Sequence, residues 1–162
     1  MCAAKKTVSK SRRLKERWER GELDDSMLTP AFVDGLAPRE LGMLGELLAI
    51  DYFEERGYRM LEHGYRCAEG EADLVLFDEL DDLVVMVEVK TRRVPVCDNS
   101  RIFPEEAVNA KKQRRYRRIA SCYVMEHFPV HAIRFDAVGV TIRAGRVAEV
   151  EHILQAFDWQ VS

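Results

Sequence analysis

The sequence predicts an α/β fold in which helices flank a mixed central sheet. Three observations support this prediction. Residues 83–91 are rich in β-branched side chains, which is typical of a strand buried on both faces. Two longer segments, 39–56 and 104–127, show the apolar spacing of helices that cover a sheet. A chain of 162 residues, 47% of them hydrophobic, is long enough for one such domain.

The predicted elements follow the chain in the order α-β-β-β-α-β. The first helix, 39–56, should end at Gly57, because glycine is favoured just after a helix C-terminus. Strands are then expected at 59–66, 72–77 and 83–91, with an acidic hairpin turn at 78–82 and a loop at 92–103.

The second long helix is predicted over 104–127. Pro104 suits the first turn of a helix, and the two glutamates that follow it suit the positive end of the helix dipole. Pro129 should keep the helix from continuing. A strand at 132–142, with a partner at 146–150, completes the predicted fold.

Residues 1–38 are predicted to form a basic, partly flexible extension of a domain at 39–162. They carry eight lysine and arginine residues between positions 5 and 20, and their apolar residues show weak periodicity. Gly21, Pro30 and Gly35 interrupt any helix that follows. Two interpretations stay open, a solvated tail and an arm that binds nucleic acid.

The composition argues against several other classes of protein. The four cysteines are scattered without the spacing of a zinc site, which indicates free thiols in a reducing compartment. The sequence shows neither a secretory signal pattern nor an apolar run near the ~20 residues that span a bilayer. We therefore expect a cytoplasmic protein without a membrane partner. The four histidines share no ligand spacing and are mostly expected at the surface or at strand ends.

Charge is segregated along the chain, although the net charge is only −3. Acids gather between positions 69 and 88, whereas the second long helix carries six basic residues in eight positions with no acid among them. Five of these side chains are predicted to contact nucleic-acid phosphates, namely Lys111, Arg114, Arg115, Arg117 and Arg118. The alternative is a charged helix face that is merely solvated.

Acidic and basic side chains lie at neighbouring ends of two predicted strands. Asp73 opens one strand, and Glu88 and Lys90 share a face of the next because side chains alternate along a strand. Convergence of these three would give two oxygen ligands and a cation, which suits Mg²⁺ or Mn²⁺ and phosphodiester hydrolysis. The alternative is a solvated hairpin end in which Lys90 pairs with one acid.

Two further charged residues lie on helix faces that should turn toward the sheet. Glu46 falls within a stripe of small and apolar residues, where it could bind a second metal ion or form a helix-to-sheet hydrogen bond. Lys112 falls on the inner stripe of helix 104–127, where it could neutralise the acids or only extend its stem past the sheet edge.

Five motifs occur in order with no large insertion between them. They are Gly45-Glu46, Gly57-Tyr58, Gly70-Glu71-Ala72-Asp73-Leu74, Val87-Glu88-Val89-Lys90-Thr91-Arg92 and Pro104-Glu105-Glu106-Ala107-Val108. Over residues 40–157 the chain thereby resembles the bacterial YraN-like family, which is regarded as endonuclease-like. That family is placed in the PD-(D/E)xK, or restriction-endonuclease-like, superfamily, close to archaeal Holliday-junction resolvases.

The resemblance implies a restriction-endonuclease-like α-β-β-β-α-β core and assigns roles to single residues. The superfamily's catalytic positions fall on Glu46, Asp73, Glu88, Lys90, and Lys112 or Gln113. A Mg²⁺ or Mn²⁺ ion would be held by Asp73, Glu88 and the Val89 carbonyl, with Glu46 as a candidate ligand of a second ion. Lys90 would orient the attacking water or stabilise charge on phosphorus.

The resulting prediction is a metal-dependent, endonuclease-like protein that hydrolyses phosphodiester bonds. The resemblance to resolvases implies structured or branched DNA as substrate and a homodimer as the active form. Two alternatives stay open, a nucleic-acid-binding module without catalysis and an adaptor whose basic helix docks an acidic protein. Acids at positions 73 and 88 favour the enzyme, because a module that only binds has no need of clustered carboxylates.

Overall fold

The structure is a computed structural model that describes residues 9–23, 26, 28–94, 108–143 and 148–159. Within these residues, three helices come first, α1 Lys10–Glu19, α2 Pro30–Asp34 and α3 Pro38–Glu54. The remaining elements are β1 Tyr58–Cys67, β2 Gly70–Asp78, β3 Leu83–Val94, α4 Ala110–Glu126, β4 Ile133–Arg143 and β5 Glu149–Phe157. The predicted α/β class is confirmed, and none of the described helices is long and apolar enough to span a membrane.

The five strands form one mixed sheet in the order β1-β2-β3-β4-β5. β1, β2 and β3 are consecutive and antiparallel, which short turns allow. β4 runs parallel to β3, so the chain crosses over between them through α4, and β5 returns antiparallel to β4. This arrangement is compatible with the restriction-endonuclease-like core expected from the sequence.

Helices cover both faces of the sheet. α3 buries Leu44, Leu47 and Phe53 against one face, and α4 buries Tyr116 and Ile119 against the other. Strand β3 contributes Val85 and Val87 to the α3 side and Val84 and Met86 to the α4 side. Its unbroken run of β-branched and other apolar residues is therefore explained by burial on both faces.

The N-terminal helix α1 packs on α3. Leu14, Leu23, Leu28 and Val33 are buried in the same hydrophobic cluster as the core of α3. The interpretation of this region as a solvated tail therefore does not describe residues 9–23. The apolar residues of the segment are spaced too widely to show as a helical stripe, which is why the sequence pattern missed this packing.

Several element boundaries differ from the predictions. Helix α4 begins at Ala110 rather than at Pro104, because the Asn109 side chain caps it by accepting a hydrogen bond from Lys112 N. Residues 104–107 lie outside the described residues. β3 continues to Val94 because β4 pairs with it over that whole length, so the predicted loop cannot begin at 92. The last strand is β5, longer and later than the predicted 146–150.

Helix α3 approaches β3 closely at Gly45, where an added Cβ would overlap the Thr91 side chain. We expect Gly45→Ala to lower the free energy of unfolding by about 1–3 kcal/mol, because the helix must move away from the strand. Gly42→Ala is the matched control, since no atom lies within 4 Å of its added Cβ. Alanine there should stabilise the helix by about 0.5–1 kcal/mol. Denaturant unfolding of both variants checks the opposite signs.

Candidate active site

An opening in the sheet brings the two predicted acids together. Strands β2 and β3 pair from Asp78 and Leu83 up to Leu74 and Val87, and the pairing stops there. Asp73 and Glu88 are the next residues on each strand. β2 stays paired with β1, and β3 stays paired with β4, beyond this point. The two strands therefore diverge while each is still held on its outer side.

The Asp73 side chain takes over the role of the missing ladder partner. Its Oδ2 accepts a hydrogen bond of 2.8 Å from the Val89 N–H. Burial raises the pKa of Asp73 from 3.8 to about 6, and the negative charges of Glu46 and Glu71 act in the same direction. The Val89 hydrogen bond and the charge of Lys112 oppose this rise in pKa. The carboxylate is thus held in a place that disfavours its charge.

Glu88 is buried and paired with a cation from α4. Its side chain is only 8% exposed, and its Oε1 forms an ion pair with Lys112 Nζ. Burial lowers the pKa of Lys112, while the charge of Asp73 acts against that shift. Lys112 therefore faces both acids, and the ion pair offsets the cost of burying the Glu88 charge.

Gln113, the other residue predicted for this helix position, turns elsewhere. Its Nε2 donates to the Val108 carbonyl at 3.1 Å, and its Oε1 accepts from Arg117 at 3.4 Å. Of the two alternatives given by the sequence, the geometry thus favours Lys112.

Lys90 does not join the two acids. Its side chain is exposed, and it makes no ion pair or hydrogen bond with any described residue. Alternation does place it on the same face as Glu88, but at Lys90 that face of β3 is exposed. The predicted convergence of Asp73, Glu88 and Lys90 therefore does not hold for Lys90, and Lys112 lies next to the two acids instead.

Glu46 lies above the opening and contacts a histidine that sequence reasoning missed. The His63 Nε2 atom lies 2.6 Å from Glu46 Oε2, and the two side chains are 9% and 24% exposed. Gly64 has φ +72°, a conformation that interrupts the side-chain alternation of β1. His63 can then reach α3 while Tyr65 packs toward α4. The glycine after His63 was the only sequence signal for this placement.

Tyr116 closes the end of the strand ladder from the α4 side. Its hydroxyl donates to the Val87 carbonyl at 3.3 Å and accepts from Asp73 N at 3.5 Å. Burial raises the pKa of this phenol well above its usual value, so it stays neutral and can donate. Tyr116 lies four residues after Lys112 on the inner stripe of the predicted helix, a spacing that indicates a core residue and gives no sign of its polar role.

Each of the three acids keeps one oxygen that has no hydrogen bond among the described residues. Asp73 Oδ1, Glu88 Oε2 and Glu46 Oε1 have no hydrogen bond to any residue in the described ranges. Within those ranges, however, no three His, Cys, Asp or Glu side chains are grouped so that they could hold one metal ion. The donor set still fits Mg²⁺, which commonly binds through one or two carboxylates and keeps several waters. Asp73 and Glu88 are the residues that would hold it.

The predicted phosphate-binding residues of α4 fall into two groups. Arg117 donates to the Asp158 carbonyl at 2.8 Å, and Arg118 pairs with Glu69 at 2.9 Å. Lys111, Arg114 and Arg115 are exposed and form no ion pair within the part of the chain that the structure describes. The charge of Arg115 also lowers the pKa of Lys112, which indicates that Arg115 lies near Lys112 and the two acids.

Fold and site together define an α/β protein in which two carboxylates lie where strands β2 and β3 diverge. The chain belongs to the uncharacterised protein family UPF0102, whose family model matches residues 45–140. The predicted membership of the YraN-like family is thereby confirmed, whereas its superfamily placement stays a prediction.

Relatives in several bacteria share most of their length with this chain. A UPF0102 protein of Renibacterium salmoninarum is 42% identical over 115 residues, which are 70% of this chain and 92% of that protein. One of Dictyoglomus thermophilum is 35% identical over 121 residues, 74% of this chain and 98% of that protein. One of Mycolicibacterium gilvum is 40% identical over 114 residues, with coverages of 70% and 89%.

Proposed function

We propose that this protein is a divalent-metal-dependent hydrolase that cleaves phosphodiester bonds in nucleic acid. The observation that carries the proposal is the meeting of Asp73 and Glu88 at the opening between β2 and β3, next to Lys112. A buried carboxylate with a raised pKa, next to a second buried acid and a cation, is typical of catalytic sites.

The residues of the site divide the work of such a reaction. Asp73 and Glu88 would each hold the cation through their free oxygen, and the Val89 N–H keeps the Asp73 carboxylate in place. A bound Mg²⁺ supplies Lewis acidity toward the phosphate and lowers the pKa of a coordinated water. Lys112 compensates the negative charge of Glu88, and Tyr116 fixes the strand ends from which both acids project.

The free cations around the opening suit a polyanionic substrate. Lys111, Arg114 and Arg115 on α4 and Lys90 on β3 are exposed and lack partners in the described ranges. Together they can contact several phosphates of one nucleic acid strand. The resemblance to junction resolvases makes structured or branched DNA the substrate of choice and a homodimer the expected form.

A cleavage assay tests the proposed function. Purified protein is incubated with labelled flap, fork, four-way-junction and linear duplex DNA, and with structured RNA, in Mg²⁺, Mn²⁺ or EDTA. We expect cleavage with either metal ion and none in EDTA. Tight binding without cleavage in any metal would instead favour the nucleic-acid-binding module. Neither binding nor cleavage would leave the protein adaptor as the better interpretation.

Binding of nucleic acid should depend on the free cations of α4. We expect the double variant Lys111→Ala, Arg115→Ala to flatten the log–log dependence of affinity on salt by about 0.9 for each phosphate that the variant no longer neutralises. Arg56→Ala, Arg59→Ala is the matched control, because it removes equal charge near the far end of the sheet. Fluorescence anisotropy over a salt series measures both slopes. Equal slopes for the two double variants would rule out this helix face as the binding surface.

A further inference from the structure

His63 contains the one buried side-chain nitrogen or oxygen atom that lacks a hydrogen-bond partner among the described residues, its Nδ1. A buried polar atom in that state costs about 1–3 kcal/mol. Selection for packing alone would therefore favour an apolar side chain at this position on β1. A histidine at this position therefore indicates a role for its second ring nitrogen.

The second nitrogen, Nε2, contacts Glu46 at 2.6 Å. An ionised carboxylate can only accept, so Nε2 carries the hydrogen and donates it to Glu46 Oε2. The contact is charge-assisted and short, which makes it one of the stronger hydrogen bonds that a side chain can form. It fixes one oxygen of Glu46 and leaves Oε1 free.

The position of Glu46 over the opening follows from its neighbours. Gly45 lies against Thr91 of β3, while Glu46 is bonded to His63 of β1. His63 is paired with Leu74 of β2, the residue after Asp73. Strand β2 lies between β1 and β3, so the Glu46 side chain lies over β2, near Asp73. The negative charge of Glu46 raises the pKa of Asp73, which agrees with this placement.

We infer that His63 is a positioning residue: it holds the Glu46 carboxylate over the opening, where Oε1 would accept a hydrogen bond from a water molecule of a cation held by Asp73 and Glu88. The inference rests on the proposed function. His63 acts through Glu46 and does not itself contact the cation or the nucleic acid. Outer-shell partners such as Glu46 typically change metal affinity 10–100-fold when they are lost.

Manganese binding to the full-length protein without nucleic acid tests the inference. Isothermal titration calorimetry compares wild type with His63→Leu, which removes the donor, and His63→Gln, whose amide N–H can replace Nε2–H. We expect His63→Leu to weaken Mn²⁺ binding at least about 10-fold and His63→Gln to stay within about threefold of wild type. His127→Leu is the matched control, because His127 also pairs with a glutamate, Glu62, but follows the C-terminal end of α4, away from the opening.

Thermal unfolding without metal separates positioning from a structural role. A merely structural histidine would lower the melting temperature on substitution by leucine and leave Mn²⁺ affinity unchanged, whereas a positioning residue shows the reverse pattern. Wild-type affinity in His63→Leu, or equal losses in the leucine and glutamine variants, would overturn the inference while the hydrolase proposal stands. A wild type that binds Mn²⁺ but cleaves nothing would sink only the hydrolase. A wild type that binds no Mn²⁺ would end both.

Discussion

Replacing Asp73 by asparagine should abolish cleavage and at the same time make the protein more stable. The amide loses the charge that holds a divalent cation, and we expect a fall in cleavage rate on the order of 1,000-fold, or about 4 kcal/mol of activation free energy. The fold should be kept, because the asparagine Oδ1 can still accept the hydrogen bond from Val89 N–H. Single-turnover cleavage with a labelled junction measures the rate.

The stability gain has a defined pH dependence. The pKa of Asp73 lies at about 6 in the folded protein, above its unfolded value of 3.8. Between these pH values the unfolded chain releases the proton first, so stability falls as pH rises and the penalty is complete above pH 6. Asp73→Asn removes this penalty, and we expect it to raise the free energy of unfolding at pH 7 by about 3 kcal/mol, because each pKa unit corresponds to about 1.4 kcal/mol. Below the unfolded pKa the two proteins should be equally stable.

Exposed acids provide the control for Asp73. Glu79→Gln changes a side chain that is 61% exposed in the turn between β2 and β3, on the side where the strands remain paired. It should leave both cleavage and the pH profile of stability unchanged. Cleavage that survives Asp73→Asn would show that hydrolysis occurs at another site or comes from a contaminant.

The largest loss of stability is expected for Asp136→Ala, in β4. The Asp136 side chain is fully buried and accepts hydrogen bonds from Arg134, His152 and the Gln155 N–H at distances of 2.8–3.0 Å. Burial alone would raise the pKa of Asp136, but these hydrogen bonds outweigh it and hold the pKa below its usual value. Removing one partner of a buried ion pair costs about 3–5 kcal/mol, a large share of a typical domain stability.

Asp81→Ala tests whether burial is the cause. Asp81 also pairs with Arg134, at 3.3 Å, but its side chain is 63% exposed. An exposed pair contributes about 0–1 kcal/mol, so urea unfolding of this variant should nearly match wild type. A similar small change for Asp136→Ala would mean that Arg134 is sufficiently stabilised by Asp78 and Tyr58 alone.

Strand periodicity was enough to predict where the two acids meet. Asp73 and Glu88 flank a hairpin whose apolar runs fix the register, and a period of two leaves little freedom in which face each residue takes. The same reasoning could not say which cation joins them. The Lys90 side chain is exposed. Lys112 reaches the acids from α4, and the start of that helix depends on the Asn109 cap. Local pattern does not encode that long-range packing.

Other parts of the site depend on contacts that no short pattern contains. His63 reaches Glu46 only because Gly64 breaks the alternation of β1, and Tyr116 serves the ladder end although its spacing marks it as core. The packing of helix α1 on α3 was missed for a related reason. The single buried residue of α1, Leu14, becomes informative only when the apolar surface of α3 is known.

The hydrogen bond from Val89 N–H to the Asp73 carboxylate has a practical consequence. One backbone amide is coupled directly to one ionisable group at the centre of the site. Because amide resonances respond to the charge of their acceptor, a single peak in a ¹H–¹⁵N spectrum reports the state of that carboxylate. Proton uptake and ion loading can then be followed in the native protein, with no dye, tag or substrate attached.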